Sequence, residues 1–138
     1  MNRILAIDYG MKKIGLALSD PLRIIAKPFN TIDNISYEDS LIQLKNIIKE
    51  YSVNEIVVGL PITLKNTFSE QTNLVKEFID SLENDLTVKI TIIDERLSSI
   101  EAKKSLIQQG IKTGHNKKEI DKTAAAIFLQ SYLNSIEK

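Results

Sequence analysis

Residues 3–18 read RILAIDYGMKKIGLAL. Two apolar runs, 4–7 and 14–18, flank a short turn that holds Gly10, and an acid, Asp8, stands where the first run leaves the core. Buried runs joined this tightly predict antiparallel strands, because only antiparallel neighbours can be linked by so few residues. A third run, 23–32 (RIIAKPFNTI), follows the turn signal Asp20-Pro21. Pro28 inside it cannot donate to a ladder, which predicts an edge strand or a bulge. The first third therefore reads as an antiparallel meander.

The remainder alternates. Ser36-x-x-Asp39 is a capping box before a helical stripe of Leu41, Leu44, Ile47, Ile48 and Tyr51. Residues 55–59 (EIVVG) form a short buried strand. Thr67-x-x-Glu70 then opens a second helix, with Leu74, Val75, Phe78, Ile79 and Leu82 at core spacing. Residues 88–94 are another strand, again ending in acids. Ser98-x-x-Glu101 caps a third helix that Gly110 stops, and a last helix covers 118–136. The order βββαβαβαα predicts an α/β fold: a five-stranded mixed sheet, three strands antiparallel and then two parallel, with helices on both faces and right-handed crossovers. The 138 residues fit a single domain, 1–138. Ligands of such sheets gather outside the carboxyl ends of the parallel strands. Asp8, Gly59-Leu60-Pro61 and Asp94-Glu95 are expected on that rim.

Composition narrows the function. There is no cysteine, which excludes disulfides and thiolate chemistry. No apolar run approaches the roughly 20 residues of a membrane span, and no signal-peptide pattern opens the chain, so a cytoplasmic protein without membrane contact is expected. Lys plus Arg equals Asp plus Glu, 18 each, which argues against gripping nucleic acid by bulk charge. A local patch stays open: 103–122 holds Lys103, Lys104, Lys112, Lys117, Lys118 and Lys122 with His115, and reads equally as a solvated face or a phosphate-facing one.

Three acids stand out. Asp8 shares a strand face with Ile4 and Ala6, so its carboxylate points to a covered sheet face; a turn cap on the amides of Gly10 or Met11 is the plainer alternative. Asp94 and Glu95 are adjacent on an extended chain and face opposite ways, so only one can join Asp8. Asp121 continues into Ala124, Ala125 and Phe128 on one helical face, where alanines let a helix lie close to the sheet. An acid in the first turn of a helix is also favoured by the helix dipole alone. Carboxylates crowded together repel and stay ionised chiefly around a cation. Oxygen ligands suit Mg²⁺ or Mn²⁺, and such ions serve phosphodiester hydrolysis.

The segments DYGMKKIGLALSD (8–20), IVVGLP (56–61), IIDERLSS (92–99) and IDKTAAAIFLQSYL (120–133) resemble the YqgF/RuvX family of RNase H-like proteins, in order and over nearly the whole chain. The resemblance implies an RNase H-like fold related to RuvC Holliday-junction resolvases. It also implies a cytoplasmic nuclease that processes the 5′ end of pre-16S rRNA; a monomer or homodimer is expected, with no interface singled out by the sequence. By motif, Asp8, Glu95 and Asp121 become the catalytic, metal-binding set, with Asp94 as neighbour; Lys12, Lys13, Arg96, Lys117 and Lys118 are expected to bind substrate by neutralising its backbone. Departures are Lys65-Asn66 where an acid-glycine pair is usual, Lys13 in place of arginine, and Ser98-Ser99 in place of two threonines. Lys13 weakens a bidentate phosphate contact there. His115 assists product departure or is simply solvated.

Three functions therefore compete: a metal-dependent endonuclease, on RNA or on branched DNA; an ATP-binding phosphotransferase; and a non-catalytic rRNA-binding scaffold. The Asp-x-Gly opening is similar to that of actin-like ATPases, but those clamp nucleotide between two such domains, and no GxxxxGK[ST] loop is present. The endonuclease accounts for the three acids.

Overall fold

The protein is described by a computed structural model over residues 2–60, 70–94 and 117–136, with side chains from residue 124 onward in the last segment. Its elements are β1 (Arg3–Tyr9), β2 (Lys13–Ser19), β3 (Ala26–Asp33), α1 (Tyr37–Glu50), β4 (Val53–Leu60), α2 (Glu70–Asp85), β5 (Lys89–Asp94) and α3 (Lys117–Ile136). The predicted helix over 98–109 lies outside the described residues.

The strands form one sheet in the order β3-β2-β1-β4-β5. β1–β2 and β2–β3 are antiparallel, whereas β1–β4 and β4–β5 are parallel. This is the expected arrangement. β3 is an edge, and its register slips from Leu16↔Asn30 to Ala17↔Pro28, so Phe29 is the extra residue of a bulge. The proline thus sits where a missing donor costs least.

β3 starts at Ala26, three residues later than the apolar run suggests. Asp20 is the reason: its carboxylate accepts the backbone N–H groups of Ile24 (2.7 Å) and Ile25 (2.9 Å), drawing them into a turn instead of a ladder. Arg23 in that turn has φ 61°, a left-handed backbone. Burial pushes the Asp20 carboxyl up, but the amides of Ile25 and Ile24 outweigh it and the net shift is downward.

Strand alternation divides the core in two. Leu5, Ile7, Ile14, Leu16, Ile56 and Val58 face Leu44 of α1 and Val75, Phe78, Ile79 and Leu82 of α2. Ile4, Ala6, Ala17 and Val57 face Ala125, Ala126, Phe128, Leu129 and Leu133 of α3. The α1 stripe packs as its spacing requires, and the Ser36 side chain accepts the Asp39 N–H at 3.1 Å to cap it.

Candidate active site

Asp8 is half-buried near the carboxyl end of β1, on the α3 face with Ile4 and Ala6. Its cross-strand partner is Gly15, so no side chain stands opposite. The turn that follows is tightly held. A Cβ on Gly10 would lie 2.3 Å from the Lys13 carbonyl oxygen, which leaves room for glycine alone. Asn34 donates from its side-chain amide to the Gly10 carbonyl (2.9 Å) and from its backbone N–H to the Lys12 carbonyl (2.9 Å). Lys12 is exposed on this turn, and Lys13 pairs with Asp33 across β3. Exposed pairs contribute only about 0.2–1 kcal/mol, so an anion can replace the partner at little cost.

Asp94 ends β5 opposite Leu60. Ile93 packs with the α3 cluster and Ile90 with the other, so Asp94 shares the parity of Ile90 and lies on the face away from Asp8. Glu95, Arg96, the Lys65-Asn66 pair and His115 fall outside the described residues. Lys117, Lys118 and Asp121 are backbone positions in the first turns of α3. Among the described side chains, no three acids or histidines come together.

The far end of α3 is tied down at the start of β1. The Gln130 side chain accepts the Ala26 N–H (2.9 Å) and donates to the Ile24 carbonyl (3.0 Å). The Tyr132 hydroxyl donates to Glu55 at 2.6 Å, and Thr91 donates to the same carboxylate oxygen at 2.9 Å. The Arg23 guanidinium stands 3.9 Å from Glu55. Burial and the Glu55 hydrogen bond hold the Tyr132 hydroxyl above its ordinary value. Ala26 pairs with Ser19, the Ser19 hydroxyl accepts the Ile4 N–H, and Glu55 pairs with Ile4. All these ties therefore lie in one row at the amino end of β1. From that row α3 runs back toward the Asp8 rim.

Glu55, Gln130 and Tyr132 escaped the sequence reading. Glu55 reads in sequence only as the first residue of a short buried strand; the structure adds its partners Tyr132, Thr91 and Arg23 and leaves it 5% exposed. Its parity with Val57, two places on and turned toward the interior, was the available signal.

The whole chain can be compared with known proteins. Residues 2–135 match the family model described as "RuvX: Holliday junction resolvase". A protein of Desulforamulus reducens named "Putative pre-16S rRNA nuclease" is 43% identical over 133 residues, covering 96% of this chain and 97% of that protein. One of the same name from Endomicrobium trichonymphae is 38% identical over 97% of this chain and 96% of its own. In structure, Thermus thermophilus RuvC in complex with a Holliday junction substrate superposes with TM-score 0.61 at 11% identity, over 98% of this chain and 95% of the other. The fowlpox virus resolvase with its junction DNA gives 0.57 at 15% identity, over 99% of each. These two likenesses show a common RNase H-like fold. With a full-length match in sequence and the same sheet beneath it, the chain belongs to the RuvX (YqgF) family.

Proposed function

We propose that this protein is a metal-dependent endonuclease that hydrolyses phosphodiesters in structured RNA, processing the 5′ end of pre-16S rRNA during ribosome biogenesis in the cytoplasm. One observation carries the reading: Asp8 stands at the carboxyl end of the central strand on the face that α3 covers, and α3 runs back from its anchored end toward that rim. Asp121 is nine residues before Gln130, about 13.5 Å along a helix. Asp8 is four residues beyond Ile4, about 13 Å along a strand. The two rulers agree, which supports Asp121 as a partner of Asp8. Asp94 faces the other way, leaving Glu95 as the acid of that pair for the set.

A donor set of Asp8, Glu95 and Asp121 is all carboxylate and fits Mg²⁺ or Mn²⁺. When bound, such ions render water nucleophilic and stabilise charge on the departing oxygen. The chain's own cations position the substrate. Lys12, on the turn locked by Asn34, and Lys13, which opens β2, follow Asp8, and with Arg96, Lys117 and Lys118 they would neutralise backbone phosphates. The relatives' name favours pre-16S rRNA as substrate. The family description favours branched DNA as the second reading.

The test is to incubate precursor 16S RNA and a four-way DNA junction with the protein in Mg²⁺, Mn²⁺ or chelator, beside Asp8→Asn and Glu95→Gln. The expected result is metal-dependent RNA cleavage by wild type, reduced at least about 100-fold in both variants. Cleavage of the junction alone would move the assignment to a resolvase. Metal-independent binding without any cleavage would make the protein a scaffold.

A further inference from the structure

We propose that a cleft on the opposite face of the sheet, at the same rim as Asp8, receives a single unstacked nucleobase of the substrate. The inference rests on the nuclease reading and adds how one position of the substrate is selected. The cleft has a volume of about 200 Å³ and lies between Tyr9, the segment at Asn34 and Tyr37, and the α2 face bearing Leu74, Phe78 and Ser81. That is smaller than the roughly 300–1,000 Å³ of a pocket that takes a whole drug-sized molecule, and is on the scale of one ring system.

Its position follows from the strand. Tyr9 succeeds Asp8, about 3.8 Å away along the chain, with its side chain on the other face. Asp8 and Tyr9 thus open on opposite faces of one rim, and a strand of nucleic acid that passes over that rim from a phosphate at Asp8 would carry a neighbouring base to the cleft. The walls are aromatic and preset. Tyr9 lies on Phe78 with ring centroids 4.5 Å apart, and Tyr37 meets Phe78 edge-on at 6.2 Å. The Tyr37 hydroxyl is held by Asp85 at 2.7 Å, and Gln71 donates to the Tyr9 carbonyl at 3.2 Å. Rings fixed beforehand lose little freedom when a base stacks on them.

The rim decides the ligand class. Glu77 lines the cleft, and Asp85 is bound to one of its walls. Two carboxylates disfavour a phosphate there. A carboxylate accepts from an exocyclic amino group, so the cleft favours cytosine, adenine or guanine over uracil.

The test uses RNA carrying a fluorescent aminopurine at successive positions around the cleavage site. One position is expected to change its emission on binding wild type. Ser81→Phe, which fills the cleft, abolishes that change and weakens binding by roughly one to two orders of magnitude, the scale of one lost base–aromatic stack. Glu77→Ala, at an exposed position, keeps the change but loses the preference for amino-bearing bases, and serves if Ser81→Phe does not fold. Wild type that binds and cuts while no position responds overturns the cleft and leaves the nuclease standing. So does an unaltered base preference in Glu77→Ala. Failure to bind or cut nucleic acid at all overturns both.

Discussion

On one face of the sheet, Leu44 from α1 and Val75, Phe78, Ile79 and Leu82 from α2 close over Leu5, Ile7, Leu16 and Val58. On the other, Ala125, Ala126, Phe128, Leu129 and Leu133 of α3 pack in one cluster with Ile4, Ala6, Ala17 and Val57, and hydrogen bonds from Gln130 and Tyr132 tie its far end. The first face is held by the shapes of large side chains, which interlock and resist sliding. The second combines alanines, at which a helix can lie close, with the larger Phe128, Leu129 and Leu133, so volume holds it as well. Directional bonds to Ala26, Ile24 and Glu55 add register at the far end of α3. The face that carries Asp8 thus adds buried polar ties to its packing, whereas the opposite face rests chiefly on volume.

Substitutions can separate the two modes. Leu44→Ala should have the largest effect, about 2–5 kcal/mol of lost stability in a denaturant titration, because it opens a cavity between large neighbours. Ala125→Leu is the converse on the thin face: it should cost about 1–3 kcal/mol by forcing α3 off the sheet. In the proposed nuclease its cleavage rate should fall further than its stability loss explains, since α3 carries Asp121. A fully active Ala125→Leu would show that the close approach is not needed for the site. Tyr132→Phe should cost about 1 kcal/mol, the net worth of one hydrogen bond, while leaving Glu55 its bond from Thr91.

The smallest effect separates the faces by pH. Tyr37 and Tyr132 each donate to a carboxylate, one on each face, Asp85 and Glu55. Burial and that bond raise both hydroxyls above the ordinary tyrosine value. A raised value in the folded state means the stabilisation is complete below about pH 10 and declines as pH climbs past it, because the unfolded chain ionises first. Midpoints of urea unfolding between pH 9 and 11 should therefore fall, and Tyr37→Phe and Tyr132→Phe should each flatten part of that slope. A slope unchanged in both variants would assign it to other groups.

Much of this was readable from residue order. Ser36 before Asp39, the α1 stripe and the apolar runs at β1 and β2 each depend on neighbours a few positions away, which is why their elements came out as expected. Pro28 announced an edge or a bulge and the protein has both, the bulge falling on Phe29. The start of β3 was misjudged because an apolar run does not reveal that the Asp20 carboxylate will claim the amides of Ile24 and Ile25. Of the candidate site, Asp8 on a covered face was legible from alternation alone. The same rule predicts that Asp94 and Glu95 diverge but not which of them turns toward Asp8's face; the structure puts Asp94 on the other face, and Glu95 lies outside the described residues.

The order of the described elements, the Ser36 cap and the spacing of the family motifs were thus legible in the chain itself, because they arise from periodicities of two and of about 3.6 residues. What required the tertiary structure was everything joined across distance. Gln130 meets Ala26 over 104 residues of chain, Glu55 is closed in by Tyr132 and Thr91, and Tyr9, Tyr37 and Phe78 make one cleft from three elements. No local pattern encodes such meetings, since each depends on where a helix crosses the sheet and how far along its axis it comes to rest.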